Sequence, residues 1–70
     1  MENIVVYLFD IELFDRYNVE NATYEELDNL FKNRIYNEEV QKFSLKAFQY
    51  ALNDEMIDDV NHWVVFAEKK

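Results

Sequence analysis

The hydrophobic positions of this chain fall into three short apolar runs and two stretches with helical period. Residues 3–9 are β-branched and aromatic and are bounded by polar residues, which predicts a buried strand. Residues 40–43 alternate between apolar and polar side chains and predict a second strand, and residues 62–66 predict a third. Residues 10–22 are predicted to be mostly irregular, with a strand extension or one helical turn as alternatives.

Two helices are predicted from their N-terminal caps and their apolar spacing. Thr23 and Glu26 match a capping box, in which each side chain accepts a hydrogen bond from the other residue's backbone N–H. The helix that follows, over residues 24–33, has an apolar stripe at three- and four-residue spacing. The stripe comprises Tyr24, Leu27, Leu30 and Phe31. Ser44 is the expected N-cap of the second helix, which is predicted to end near Asn53.

The predicted order β-α-β-α-β makes the chain a single small α+β domain over residues 1–70. We predict two layers, a three-stranded sheet with two helices on one face, because so short a chain cannot cover both faces generously. If the connections are right-handed crossovers, consecutive strands that pair are parallel. The other sheet face is then open along His62, Val64 and Phe66, and it is a candidate dimer or partner surface.

Glycine and proline are both absent, so left-handed backbone positions at turns are expected to fall on Asn or Asp. Five asparagines lie near the predicted element boundaries. They are Asn21, Asn33, Asn37, Asn53 and Asn61. Residues 54–61 are predicted to form a polar loop in which Met56 and Ile57 fold inward.

Fifteen acidic and seven basic residues give a net charge of −8. Contacts to phosphate groups require Lys and Arg, so direct nucleic-acid binding is not expected, and anionic membranes are disfavoured as well. We expect the partner to be another protein that is neutral or basic. Residues 1–31 hold eight acids and one base, residues 47–66 hold four acids and no base, and the segment between them is mildly basic.

The acidic side chains form two sequence groups that are candidates for chemistry. The first group is Glu25, Glu26 and Asp28, and the second is Asp54, Glu55, Asp58 and Asp59. Both groups are predicted to be exposed, with Glu25 and Asp28 facing outward, and exposed carboxylates are usually only solvated. His62 lies near Asp58 and Asp59, but one imidazole and two loop carboxylates make a thin set of metal ligands.

No catalytic, cofactor or metal site is predicted, and we do not expect an enzyme. Ser44 and Thr23 are the only hydroxyl side chains besides tyrosine, and both are explained as helix caps. The absence of glycine excludes phosphate-binding loops, and the absence of cysteine excludes disulfides and thiolate ligands. Charges interrupt every apolar run and no basic leader region is present, so a cytoplasmic protein without a membrane span is expected.

Nine of the twelve aromatic side chains are assigned to expected core positions or expected surface positions. Packing in the core is predicted for Tyr7, Phe9, Phe31, Phe43, Phe48 and Trp63. Tyr17, Tyr36 and Tyr50 are less easily buried and suit a protein interface, where tyrosine is enriched.

The C-terminal half of the chain resembles small uncharacterised proteins of bacterial mobile elements and phages. The similarity lies in residues 43–55, FSLKAFQYALNDE, and in residues 61–66, NHWVVF, a capped aromatic helix that precedes a final strand. It implies a mobile-element origin and assigns no role to any residue.

These observations favour a non-enzymatic protein-binding module, with inhibition of a host or rival protein as one form of that role. A sharper hypothesis is mimicry of DNA, in which rows of carboxylates replace phosphates. The candidate partner-binding residues are Glu25, Glu26, Asp28, Asp54, Glu55, Asp58, Asp59 and Tyr50. Two alternatives stay open. The charge serves solubility alone, or the chain is a self-associating structural or accessory subunit, a homodimer formed through an open sheet face or an edge strand.

Overall fold

A computed structural model describes residues 3–33 and 40–69 of the chain. It confirms the α+β class and the three-stranded sheet. The elements are β1 (Ile4–Asp10), α1 (Arg16–Glu20), α2 (Tyr24–Asn33), β2 (Val40–Ser44), α3 (Leu45–Asn53) and β3 (His62–Glu68). The predictions for Tyr36 and Asn37 lie outside the described residues.

The sheet has the strand order β2-β1-β3, and β1 is antiparallel to both neighbours. In the pairing with β3, Tyr7 lies opposite Val65, and in the pairing with β2 it lies opposite Lys42. The conditional expectation of parallel neighbours is wrong for this arrangement. The two strands that run in the same direction, β2 and β3, are separated by β1 and do not pair.

Strand β1 is buried on both faces, which explains why its sequence is a continuous apolar run. Tyr7 and Phe9 point to one face and pack with Val19 of α1 and Leu27 of α2. Val6 and Leu8, together with Phe48 of α3, form a second cluster on the opposite face. The core therefore consists of two clusters divided by the sheet.

Two helices do pack on one face of the sheet, and they are α1 and α2. The second predicted helix, α3, lies instead on the opposite face, where Phe48 contacts Phe66 at a ring-centroid distance of 5.9 Å. That face is therefore not open as expected. The physical reason is that Val6 and Leu8 would be exposed if all the helices shared one side.

Helix α1 was not predicted because only one of its five residues, Val19, is buried. Asp15 caps the helix and accepts a hydrogen bond from Tyr17 N at 3.1 Å. Arg16 Nε donates to Glu20 Oε2 at 2.7 Å. So short a helix depends on such local contacts and on packing rather than on intrinsic propensity.

The caps of the two longer helices are confirmed. Thr23 N donates to Glu26 Oε1 at 2.8 Å, and Glu26 N donates to Thr23 Oγ1 at 3.2 Å. Ser44 Oγ accepts from Ala47 N at 3.1 Å. Each cap satisfies backbone donors that the first helical turn leaves unpaired.

Helix α3 ends in a Schellman motif without glycine. Met56 N donates to Ala51 O at 2.8 Å, and Glu55 N donates to Leu52 O at 3.1 Å. The residue between the helix and the loop, Glu55, has φ 54°. The expectation that Asn or Asp supplies left-handed backbone is thus wrong here, because the cap geometry requires a positive φ at this position whatever residue occupies it.

The left-handed conformation of Glu55 predicts a stabilising substitution. Glu55→Gly should raise the free energy of unfolding by about 0.5–1 kcal/mol, because glycine adopts positive φ without the steric cost of a Cβ. Urea unfolding monitored by circular dichroism measures the change. As a matched control, Gln49→Gly replaces an exposed residue in the interior of α3 and should lower the free energy of unfolding. A Glu55→Gly variant no more stable than the parent would contradict this explanation.

Candidate functional site

Among the residues that the structure describes, the most buried charged side chain is Asp28, which is only 7% exposed. Tyr7 Oη donates to its Oδ1 at 2.8 Å, and Lys42 Nζ donates to the same oxygen at 2.7 Å. Lys32 Nζ lies 3.2 Å from its Oδ2. The prediction that Asp28 faces outward is wrong.

The inward stripe of α2 includes Asp28 in place of Leu30, which explains why Asp28 was wrongly predicted to face outward. Positions 24, 27, 28 and 31 follow the same three- and four-residue spacing as the predicted stripe. Leu30 is partly exposed, whereas Asp28 contacts the strands. A carboxylate is tolerated at this inward position because the hydroxyl and the ammonium groups satisfy its oxygens.

Lys42 lies among aromatic rings as well as beside the carboxylate. Its Nζ is 5.9 Å from the ring centroids of Tyr7 and Tyr24 and 5.6 Å from that of Phe31. The faces of aromatic rings attract a cation, so these contacts add to the ion pair. Together the two kinds of contact hold an ammonium group between α2 and β2.

The pKa values of this cluster move away from neutrality. The hydrogen bond from Lys42 is the largest influence on Asp28 and, against the opposing effect of burial, lowers its pKa to about 2. Burial, followed by the hydrogen bond to Asp28, raises the pKa of Tyr7, and the hydrogen bond to Asp28 raises that of Lys42. Proton transfer near neutral pH needs a group that titrates there. The cluster is therefore suited to holding elements together.

A second feature is the end of the sheet that we call the loop end, residues 10–15 and 54–61. Asp10 lies opposite His62, and Ile11 N donates to Asn61 O at 3.3 Å, so the loop after β1 meets the loop before β3. Helix α3 also ends here, because it connects β2, whose last residue pairs with Val5, to the start of β3.

Asp58 orders the longer loop of the loop end. It accepts hydrogen bonds from the backbone N–H groups of Val60 and Asn61, both at 3.1 Å, and from Asn61 Nδ2 at 2.7 Å. The side-chain hydrogen bond from Asn61 lowers the pKa of Asp58 below its usual range. His62 Nδ1 approaches the backbone carbonyl of Asp58 at 2.6 Å, not its carboxylate.

The loop end combines carboxylates with exposed aliphatic side chains. The acids are Asp10, Glu12, Asp15, Asp54, Glu55, Asp58 and Asp59, and neither segment contains a basic residue. Val60 is 81% and Met56 75% exposed, and Ile11 and Leu13 are partly exposed. The prediction that Ile57 folds inward is confirmed, but the same prediction for Met56 is wrong because the left-handed cap turns the chain outward after Glu55.

The predicted partner-binding residues do not form one surface. Glu25 lines a recess of about 240 Å³ with Glu68, whose strand partner is Ile4, so the start of α2 lies at the end opposite the loop end. A seven-residue strand separates the ends by about 20 Å. Glu26 is exposed but serves the capping box, and Tyr50 is exposed on α3.

A shallow groove of about 500 Å³ lies between α1 and α2. Four asparagines line it, Asn18, Asn21, Asn29 and Asn33, together with Tyr17, Ala22, Glu26 and Leu30. Asn21 Nδ2 is already engaged with Tyr17 O at 2.8 Å. Side-chain amides both donate and accept, so this groove suits contact with a polar chain rather than acid–base chemistry.

Within residues 3–33 and 40–69, no three acidic or histidine side chains converge as a metal site would require. In the same part of the chain, the helices are too short and too polar to cross a bilayer. Comparisons with protein-family models, curated proteins and solved structures found no match.

The low pKa of Asp28 predicts a loss of stability in acid. Because this pKa lies at about 2 in the folded chain, below its ordinary 3.8, the carboxylate stabilises the fold fully above about pH 4. That stabilisation is lost as the pH falls toward 2. Urea midpoints measured at intervals between about pH 7 and pH 2 should show the decline. The lowered pKa of Asp58 makes stability fall in acid as well. Asp28→Asn should therefore remove only the part of the pH dependence that comes from Asp28. A variant with the same pH dependence as the parent would contradict the assignment to Asp28.

Proposed function

We propose that the chain is a non-enzymatic protein-binding module that binds a neutral or basic partner through the loop end. The observation that supports this most strongly is the four exposed aliphatic side chains, Ile11, Leu13, Met56 and Val60, among seven carboxylates. A protein interface usually has an apolar core and a polar rim, and the loop end supplies both kinds of side chain.

The two kinds of side chain have different parts in such a contact. Burial of one Val or Met side chain contributes about 1.5–3 kcal/mol, so Met56 and Val60 supply affinity. The carboxylates attract a basic surface over a longer range, which raises the association rate and excludes acidic partners. A net charge of −8 strengthens this selection.

The order already present at the loop end favours binding. Asp58 fixes the turn at Val60 and Asn61, the Schellman motif fixes the chain at Met56, and Ile11 is tied to Asn61. A backbone held in place before binding loses less conformational entropy when a partner arrives. The loop end is in this respect unlike a flexible tail.

Inhibition of a host protein is the form of this function that the resemblance to mobile-element proteins suggests. Mimicry of DNA would require carboxylates in rows with a spacing of about 3.4 Å per phosphate along each strand. The separation of Glu25 and Glu26 from the loop end supports a local protein contact over a mimic that spans both acidic groups.

The test is a quantitative pull-down from a lysate of the source organism, with elution by a salt gradient. The parent chain is compared with Met56→Ser/Val60→Ser and with Asp54→Lys/Asp59→Lys. We expect both variants to lose the same captured protein, and we expect that protein to be basic or neutral. Increasing salt should release the captured protein from the parent chain, because salt screens the attraction of the exposed carboxylates.

Two matched controls locate the surface. Tyr50→Ser removes an exposed apolar side chain from α3, and Glu25→Lys reverses a charge at the opposite end, so both should retain the captured protein. Loss of capture in Glu25→Lys with retention in the loop-end variants would contradict the proposal and favour a partner at the start of α2.

A further inference from the structure

Strand β3 is an edge strand, and no other strand among the described residues pairs with its outer edge. Lys69 N donates to Asn3 O at 2.7 Å and Ile11 N donates to Asn61 O at 3.3 Å, so the odd-numbered residues of β1 and β3 form the hydrogen-bonded pairs. In an antiparallel ladder, the alternate residues direct their N–H and C=O groups away from the neighbour. Those residues in β3 are His62, Val64, Phe66 and Glu68. Among the described residues, no hydrogen bond to these outward groups is found.

The two edge strands of the sheet differ in how strongly their sequences discourage pairing with another chain. Strand β2 has only five residues and places the charged Lys42 inward at its centre, two features that discourage pairing with another chain. Strand β3 has seven residues in an unbroken register with β1. It contains no Lys, Arg or Pro, and its only acidic residue is the last one, Glu68.

We propose that β3 pairs antiparallel with β3 of a second copy of this chain, which makes a six-stranded sheet. The register that pairs every residue of the strand is centred on Val65. It places Val64 opposite Phe66 of the copy and His62 opposite Glu68. In this register the outward-facing residues form the hydrogen-bonded pairs, as their backbone direction requires.

The charges along β3 permit a second copy to pair and favour the antiparallel direction. The only acidic side chain of β3, Glu68, falls opposite an imidazole, so no two carboxylates of the pair face each other. Antiparallel pairing also places the two loop ends at opposite ends of the joined strands, which keeps the most acidic regions of two −8 chains apart. A parallel pair would place them side by side.

Phe66 supplies apolar area to the same contact. Its side chain is 56% exposed although it packs against Phe48, and Val64 on the same face is half-buried. Pairing each Phe66 with the Val64 of the copy covers part of this exposed area, and aromatic–β-branched pairs stabilise a ladder. The loop end stays exposed, so the dimer offers two such surfaces and does not depend on the function proposed for them.

Hydrogen exchange tests the proposal on the unmodified chain. Sedimentation equilibrium should show a dimer. Amide exchange followed by NMR should show that Val64 and Phe66 become protected as the protein concentration rises. The amide of Val65, which faces β1, should be protected at every concentration. A monomer at about millimolar concentration, or a dimer in which Val64 and Phe66 stay unprotected, would overturn the proposal.

Charge exchange tests the register. His62→Glu should weaken the dimer by roughly tenfold, because two pairs of like charges form in each dimer. His62→Glu/Glu68→Lys should restore the affinity, since opposite charges then face each other. Asp54→Lys makes the same acid-to-base change away from β3 and should leave the affinity unchanged. A double variant as weak as His62→Glu would overturn this register.

Discussion

The fold depends on one buried carboxylate. Asp28 of α2 accepts hydrogen bonds from Tyr7 of β1 and Lys42 of β2, so a single side chain connects three elements that are distant in sequence. A buried charge is stable only while its partners are in place, because an unpaired one loses its hydration without compensation. In a 70-residue chain without cysteine, this contact fixes the position of α2 on the sheet.

The rest of the architecture follows from how β1 is covered. With α2 fixed over Tyr7, the other face of β1 presents Val6 and Leu8, and α3 covers them. Placing α3 there carries its C-terminal turn, which includes Glu55, to the same end of the sheet as the loop after β1. The loop end, with its acidic and aliphatic side chains, is thus a consequence of packing and not of any single sequence motif.

The sequence predicts the local elements well and the tertiary contacts poorly, for physical reasons. The capping box at Thr23 and the cap at Ser44 are local interactions, so they can be read directly from neighbouring residues. The inward position of Asp28 is hidden, because hydrophobicity alone assigns that part of the stripe to Leu30. The loop end is hidden too, because its two segments are about 40 residues apart and meet only through the pairing of β1 with β3.

A double-mutant cycle at Asp28 and Lys42 tests the central claim most directly, with urea unfolding as the measurement. Asp28→Ala should cost about 2–4 kcal/mol, because it leaves a buried tyrosine hydroxyl and an ammonium group without their acceptor. Combining it with Lys42→Met should cost less than the sum of the single changes, with a coupling energy of about 1–3 kcal/mol. Strictly additive effects, or an Asp28→Ala variant as stable as the parent, would contradict the account.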